Sequence, residues 1–207
     1  MRASGLTQPV PMKNPSTKEL FEYWNARRGR RAAPDRGDIE PGAIRRVLAD
    51  TFILSYDECA GHPFRIAGTR VCALFGRELK NDAYVDLWTA ECRQLARDLL
   101  SVVAAESVGV IASARGVGAD RIPRELEVLL LPLSHRGRTD MRVLGALAPA
   151  GSSAALWVGV STLTKLTLGT LRSLGDGMAK PAALRGAPER PAGRLRHGFV
   201  VYDGGQP

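Results

Sequence analysis

The spacing of apolar residues predicts two amphipathic helices in the first half of the chain. Leu20, Phe21 and Trp24 fall on one helical face, and Ser16 opens a capping box that predicts where this helix begins. Gly29 predicts its end. The longest helix is predicted from residue 88 to about residue 107, with an apolar stripe formed by Trp88, Cys92, Leu95, Leu99 and Val102.

A shorter helix and a β-hairpin are predicted between these two. Pro41 suits the first turn of a helix, which predicts helical structure over residues 41–50. The runs TFILSY at 51–56 and FRIAGT at 64–69 flank a group of turn residues, and they predict two antiparallel strands. The face of the short helix that is expected to be buried consists of Ile44, Val47 and Leu48.

Three further β-type runs follow the longest helix, at residues 108–114, 125–133 and 141–147. The segment LEVLLLPL in the second run is apolar on both faces, so both sides of that strand are expected to be covered. Pro132 lies within it and lacks an N–H group, which predicts a bulge or the end of the strand there.

The two ends of the chain give weaker patterns. Residues 1–15 carry three prolines and few apolar groups, which predicts a disordered lead-in before a domain at 16–149. In LTKLTLGTLRSLG the leucines follow a helical period in one part and a strand period in another. Residues 150–175 are expected to form an extension packed on the domain. The leucine pattern does not decide between helix and strand for this extension. Residues 176–207, rich in Gly, Pro, Ala and Arg, predict a flexible basic tail with a short terminal strand.

The composition is that of a globular protein, with 44% hydrophobic and 24% charged residues over 207 positions. The net charge of +8 and the pI near 9.9 are compatible with a polyanionic partner. The basic residues are mostly arginines, spread along the chain. One tight cluster stands out, formed by Arg27, Arg28, Arg30 and Arg31.

This arginine cluster allows two interpretations. Clustered arginines bind phosphates well, so a nucleic-acid-associated regulator is one alternative. No aromatic platform or recognition helix accompanies the cluster, however, and a basic patch alone is only the first sign of a nucleic-acid site. Three carboxylates follow directly, and pairing of at least one arginine with them is the favoured interpretation: Asp35, Asp38 and Glu40.

The cysteines and the apolar runs indicate where the protein works. Cys59, Cys72 and Cys92 are odd in number and far apart, which favours reduced thiols over a disulfide framework. No apolar run reaches the length of a membrane span, and the first residues do not resemble a secretion signal. We therefore expect a cytoplasmic protein without a membrane partner.

No catalytic or metal site is predicted. The histidines, His62, His135 and His197, fall in a turn, a strand end and the tail. Cys59 and His62 are close in sequence, but a hairpin turn explains their spacing. Known nucleophile, zinc and phosphate-loop motifs are absent, and no second pair of ligands has metal-binding spacing.

Four sequence segments resemble the Per-ARNT-Sim (PAS) domain family, in particular a bacterial subgroup of stand-alone single-domain proteins. They are LFEYWNARRGRRAAPDRGDIEP, FRIAGTRVCALFGREL, LLLPL and LGALAP, and the second is the most specific. The resemblance implies an α+β fold with a five-stranded antiparallel sheet in the order 2-1-5-4-3, flanked by helices. It also implies a non-catalytic sensory module that acts through a small ligand, a signalling protein partner, or both.

The resemblance further implies a pocket between the sheet and its helices, and a dimer formed through the N-terminal helix. A small apolar ligand would fit such a pocket, although side chains could equally fill it. Haem and flavin are not expected, because no histidine lies on a predicted helix and the asparagine-cysteine-arginine motif of light-sensing members is absent. The candidate pocket residues are Phe52, Leu54, Ile66, Leu74, Phe75, Trp88, Leu95 and Leu99, and the candidate interface residues are Leu20, Phe21, Tyr23 and Trp24.

Overall fold

The computed structural model describes residues 12–135, 138–151 and 162–174. Short 3-10 turns at 36–38, 41–44, 48–50 and 84–87 connect the longer elements. The helices are α1 (Pro15–Arg28), α2 (Thr69–Phe75) and α3 (Ala90–Glu106). The strands are β1 (Thr51–Ser55), β2 (Phe64–Ala67), β3 (Gly109–Gly118), β4 (Pro123–His135), β5 (Arg138–Pro149) and β6 (Leu163–Leu174).

The strands form one antiparallel sheet in the order β2-β1-β5-β4-β3-β6. The first five strands have the predicted order, so the α+β fold class is confirmed. Helices α2 and α3 cover the inner face of the sheet, and α1 with the turns after it covers the outer face. The sixth strand is an addition to the predicted sheet.

Strand β6 comes from the segment whose leucine pattern left the element type open. Its leucines at 163, 166, 168 and 171 are all buried in the inner core. The pairing of β6 with β3 is irregular between Val117 and Gly118 and again between Ala112 and Ala114. At each irregularity β6 contains one extra residue. The spacing between successive buried leucines is therefore three residues there instead of two. The mixed periodicity therefore reflects a strand with two bulges.

Helix α1 begins two residues earlier than predicted. Asn14, not Ser16, is the N-cap, and its side-chain oxygen accepts from the Ser16 N–H at 2.7 Å. Pro15 occupies the first helical position, where a missing N–H has no cost. The helix ends at Gly29 as predicted, with φ +55°.

A buried carboxylate fastens the start of α1 to the sheet. Glu127 on β4 is only 5% exposed. It accepts from the backbone N–H groups of Lys13 at 2.8 Å and Asn14 at 3.1 Å, and from the Thr17 hydroxyl. The Asn14 amide donates to Pro149 O at 2.8 Å. Residues 12–15 therefore belong to the domain, which corrects the predicted lead-in of 1–15; residues 1–11 lie outside the described part.

The outer face of β4 is covered as its two-sided apolar pattern predicted. Leu129, Leu131 and Leu133 are buried with Leu20 and Trp24 of α1. Pro132 stays in the strand opposite Val143, beyond the last residue that pairs with β3, so its missing N–H does not interrupt the β3 ladder. An irregularity of β4 follows it, between Leu133 and His135.

Two of the predicted helices differ from the structure. Residues 41–50 form two 3-10 turns, which bury Ile44 and Val47 but leave Leu48 37% exposed. The backbone carbonyl groups of Leu48 and Ala49 pack on Gly68, where an added Cβ would lie 2.3 Å from Leu48 O. The longest helix starts at residue 90, because Trp88 is extended and closes the preceding 3-10 turn.

The structure describes only part of the predicted C-terminal regions. Leu163–Leu174 do pack on the domain, within the predicted extension of 150–175. The predicted basic tail at 176–207 and its terminal strand lie outside the described residues.

Candidate functional site

The space between the sheet and its inner helices is filled by side chains. A cavity of about 10 Å³ lies among these side chains, which is the room of one water molecule at most. Aromatic rings occupy most of this space: Phe52 lies 5.5 Å from Phe64 and 5.9 Å from Tyr84, and Tyr84 lies 5.7 Å from Trp88. The cavity is lined by Phe52, Phe64, Val71, Tyr84, Leu87, Trp88, Val128, Leu147 and Leu166.

The backbone of β5 makes room for one of these rings. At Gly145 an added Cβ would lie 2.2 Å from the Phe52 ring. A side chain at this position would displace the ring, so the glycine lets the Phe52 ring approach the β5 backbone closely. Burial raises the pKa of the Tyr84 phenol, which stays neutral in this environment.

Strand β6 closes the side of the interior that a five-stranded sheet would leave open. Leu166 O accepts from the Thr89 N–H at 2.9 Å, just before α3. The Leu168 N–H donates to Cys92 Sγ at 3.4 Å, on α3 itself. The sheet therefore curls until its last strand contacts the helices that cover it, and the β6 leucines enter the shared core.

Most predicted pocket residues do lie together in the inner core. Leu95 is partly buried against it, and Ile66 is the exception, because it is 49% exposed on the outer face. A bulge explains this error: Ile53 pairs with Ile66 and Leu54 with Phe64, so Arg65 is the extra residue of β2. The predicted residues that share the inner core are Phe52, Leu54, Leu74, Phe75, Trp88 and Leu99.

Several lining residues were missed by the sequence reasoning. Phe64 lies in a predicted strand and Val71 in a segment without a predicted element, and no local pattern marked either residue as part of the lining. Leu166 lay in the segment of unresolved type. The spacing of the leucines at 163, 166, 168 and 171, a strand period interrupted by three-residue steps, was the signal that could have assigned Leu166 to the lining.

The cavity between the aromatic rings, about 10 Å³, is smaller than a haem or a flavin ring system. Within the described residues, no histidine lines the cavity. His62 is buried near the β1–β2 turn, where its Nδ1 accepts from the Asp57 N–H at 3.3 Å. Burial lowers the pKa of this imidazole, although the nearby Glu58 carboxylate opposes the effect.

The cysteines and histidines are not brought together in the described part of the chain. Cys59 is exposed, whereas His62 is buried beside the Tyr56 ring. Cys72 contacts Ala67 O and a Glu78 carboxylate oxygen, and burial raises the pKa of its thiol. Among these residues no group of three or more His, Cys, Asp or Glu side chains has metal-binding geometry.

The predicted interface residues of α1 divide into two kinds. Leu20 and Trp24 are buried on the outer face of their own sheet, and Trp24 Nε1 donates to Pro132 O at 2.8 Å. These two residues therefore cover the chain's own core, which corrects their assignment to an interface. Phe21 and Tyr23 remain partly exposed.

The arginine cluster is largely engaged in contacts within the chain. Arg27 pairs with Glu40 at 3.1 Å and Arg31 with Asp38 at 2.7 Å, as the carboxylates after the cluster predicted. The hydrogen bond from Arg31 lowers the pKa of the Asp38 carboxyl. Arg28 lies over the Trp24 ring, 5.2 Å from its centroid.

A second basic feature, which the sequence did not reveal, lies on the outer face. A groove of about 340 Å³ is formed where β1, β2 and β5 meet two loops. Its cationic residues are far apart along the chain, so no local signal marks them: Arg36, Arg65, Lys80 and Arg142.

The fold and its interior define an α+β domain with a closed core. A family model described as a PAS domain matches residues 12–148, about two thirds of the chain. The chain therefore belongs to the PAS domain family, whose members are sensory and regulatory modules. The match ends before β6 begins, so the strand that closes the interior lies outside it.

Comparison with individual proteins adds little to this assignment. The crystal structure of a LOV protein from Rhodobacter sphaeroides aligns with a TM-score of 0.41 at 15% identity. The alignment covers 54% of this chain and 67% of that one. No curated protein matches the chain.

None of the helices in the described residues is both long enough and apolar enough to cross a bilayer.

Proposed function

We propose that this PAS protein is a non-catalytic regulatory module of the cytoplasm that acts by contact with a signalling protein and works as a homodimer. The observation that carries the proposal is the filled interior. A cavity of about 10 Å³ cannot take an organic ligand, so regulation through an internal cofactor has no site in this conformation.

The chemistry of the described side chains supports a non-catalytic role. A nucleophile needs a base within hydrogen-bonding distance, and in the described residues no cysteine has a histidine partner. The arginine cluster supports the nucleic-acid alternative less well, since Arg27 and Arg31 are paired with carboxylates.

The exposed part of α1 supports a homodimer through its aromatic side chains. The Phe21 ring stacks on Trp24 at 6.2 Å and remains partly exposed on its other side. Tyr23 is held in place by its hydroxyl, which donates to Asp38 O at 3.2 Å and accepts from the Glu40 N–H at 2.9 Å. A fixed aromatic surface loses little conformational entropy when it binds a partner.

The proposal is tested by the mass of the full chain in solution, measured by light scattering over a concentration series. The wild-type protein should have the mass of a dimer. Phe21→Glu should weaken the dimer by roughly thirtyfold or more, because a central aromatic residue contributes about 2 kcal/mol or more to an interface.

Glu22→Lys is the matched control, because it changes the charge of the exposed neighbouring residue. It should leave the dissociation constant nearly unchanged. A wild-type protein with the mass of a single chain at every concentration would overturn the homodimer. A dimer that is insensitive to Phe21→Glu would remove this surface from the interface.

A further inference from the structure

The outer groove has the volume of a small-molecule site. Its volume of about 340 Å³ falls in the range of ligand pockets, and it lies on the face of the sheet opposite the filled interior. Ile53 and Ile66 supply an apolar surface, while the charged groups come from β2, β5 and two loops. The full lining is Arg36, Ile53, Arg65, Ile66, Lys80, Asn81 and Arg142.

The charge of this groove is uncompensated. Four cationic side chains line it and no carboxylate does. Elsewhere arginines pair with acids, as Arg70 does with Asp50 at 2.5 Å and Arg115 with Glu125 at 2.7 Å. Within the described residues, none of the four groove cations forms such an ion pair.

Arg142 fixes the geometry of the site. Its guanidinium donates to Ser55 Oγ at 2.8 Å, across the β1–β5 pairing. Burial, followed by the like charges of Arg65 and Arg36, lowers the pKa of Arg142. The guanidinium groups of Arg36, Arg65 and Arg142 line the same groove, and an anion between them would offset their like charges.

Asn81 adds a rigid edge to the site. It has a positive φ of 70°, and its backbone N–H donates to Phe64 O at 2.8 Å. This bond ties the loop that carries Lys80 to β2, the strand that carries Arg65. Two of the groove cations therefore lie on elements that are hydrogen-bonded to each other.

We propose that this groove binds a small organic polyphosphate of nucleotide size, with the phosphates between the guanidinium groups and the organic part on Ile53 and Ile66. Planar guanidinium groups match phosphate oxygens in pairs, and several cations call for a ligand with several negative charges. The volume fits one such molecule. This site goes beyond the proposed function and does not depend on it.

The test is titration calorimetry of the full chain with ATP, inorganic pyrophosphate and inorganic phosphate at constant ionic strength. ATP and pyrophosphate should bind with saturation, and ATP more tightly because it also covers the isoleucines. Arg65→Glu and Lys80→Glu, both at exposed positions, should each weaken binding about tenfold or more, since each replaces a charged contact by a repulsive one.

Arg30→Glu is the matched control, with the same change of charge at an exposed residue of the arginine cluster. It should leave ATP binding unchanged, and circular dichroism should show that all three variants are folded. Two results of the calorimetry would overturn the proposal. One is the absence of saturable binding of ATP and pyrophosphate. The other is an equal loss of affinity in Arg30→Glu, which would show binding to net charge alone. Tight binding of a single-stranded oligonucleotide that ATP cannot displace would also contradict it, in favour of a nucleic-acid surface.

Discussion

Replacing Trp24 by alanine should destabilise the domain by about 3–5 kcal/mol, the usual cost of removing a large buried aromatic side chain. Trp24 is 2% exposed and lies between α1 and the outer face of β4. The substitution leaves a cavity there and removes the indole donor from Pro132 O, which is buried. Urea unfolding followed by circular dichroism measures the change in the free energy of unfolding.

Trp24→Phe is the matched variant, because it keeps an aromatic ring on the sheet but removes the Nε1–H donor. It should cost about 1–3 kcal/mol, the range for a buried carbonyl that loses its partner. A loss below about 1 kcal/mol in Trp24→Ala, which is the level of an average substitution, would contradict the packing of α1 on this sheet.

Replacing Leu166 by alanine should cost about 2–5 kcal/mol, although the residue lies outside the stretch that matches the PAS family. Leu166 is 1% exposed and lines the small remaining cavity of the interior. Its truncation would enlarge that cavity toward the aromatic rings. The free energy of unfolding in urea is the measurement, with a dye that binds exposed apolar surface as a second readout.

Thr167→Ala is the control on the other face of β6, where the side chain is exposed and donates to Arg115 O at 3.2 Å. It should change stability by about 0.5 kcal/mol or less, as exposed substitutions usually do. Equal effects of the two substitutions would show that β6 does not contribute its leucines to the core.

The residues that were predicted correctly are those whose local pattern agrees with their packing. Leu20 and Trp24 share a helical face in the sequence and a buried face in the structure. The two-sided apolar pattern of β4 likewise required cover on both faces, and it has such cover. The strand order came from the resemblance to PAS domains, since no periodicity determines which strands pair.

The errors have a common physical cause in the bulges of the sheet. A bulge shifts every following side chain to the other face, and periodicity alone does not locate it. This is why Ile66 was assigned to the interior, and why β6 was left between helix and strand. At Gly169, beside one β6 bulge, an added Cβ would lie 2.4 Å from Ser113 Oγ. Gly169 is therefore needed for the close approach of β6 to β3.

The outer groove was missed for a different reason. Arg36, Arg65, Lys80 and Arg142 are brought together only by the fold, whereas the visible cluster at Arg27–Arg31 is largely neutralised by its neighbours. The clustering of basic residues in the sequence therefore did not indicate where unpaired positive charge lies on the folded surface.

The most direct test of the central claim, that the chain's own side chains occupy the PAS interior, is native mass spectrometry of the freshly purified full chain. The native mass should equal a whole number of denatured chain masses, and the protein should show no visible absorption. Any phosphorylated molecule that is retained should be lost in the Arg65→Glu, Lys80→Glu double variant, because it would occupy the outer groove. An added mass that persists in that variant and is released on denaturation, with the visible absorption of a flavin or haem, would contradict the claim.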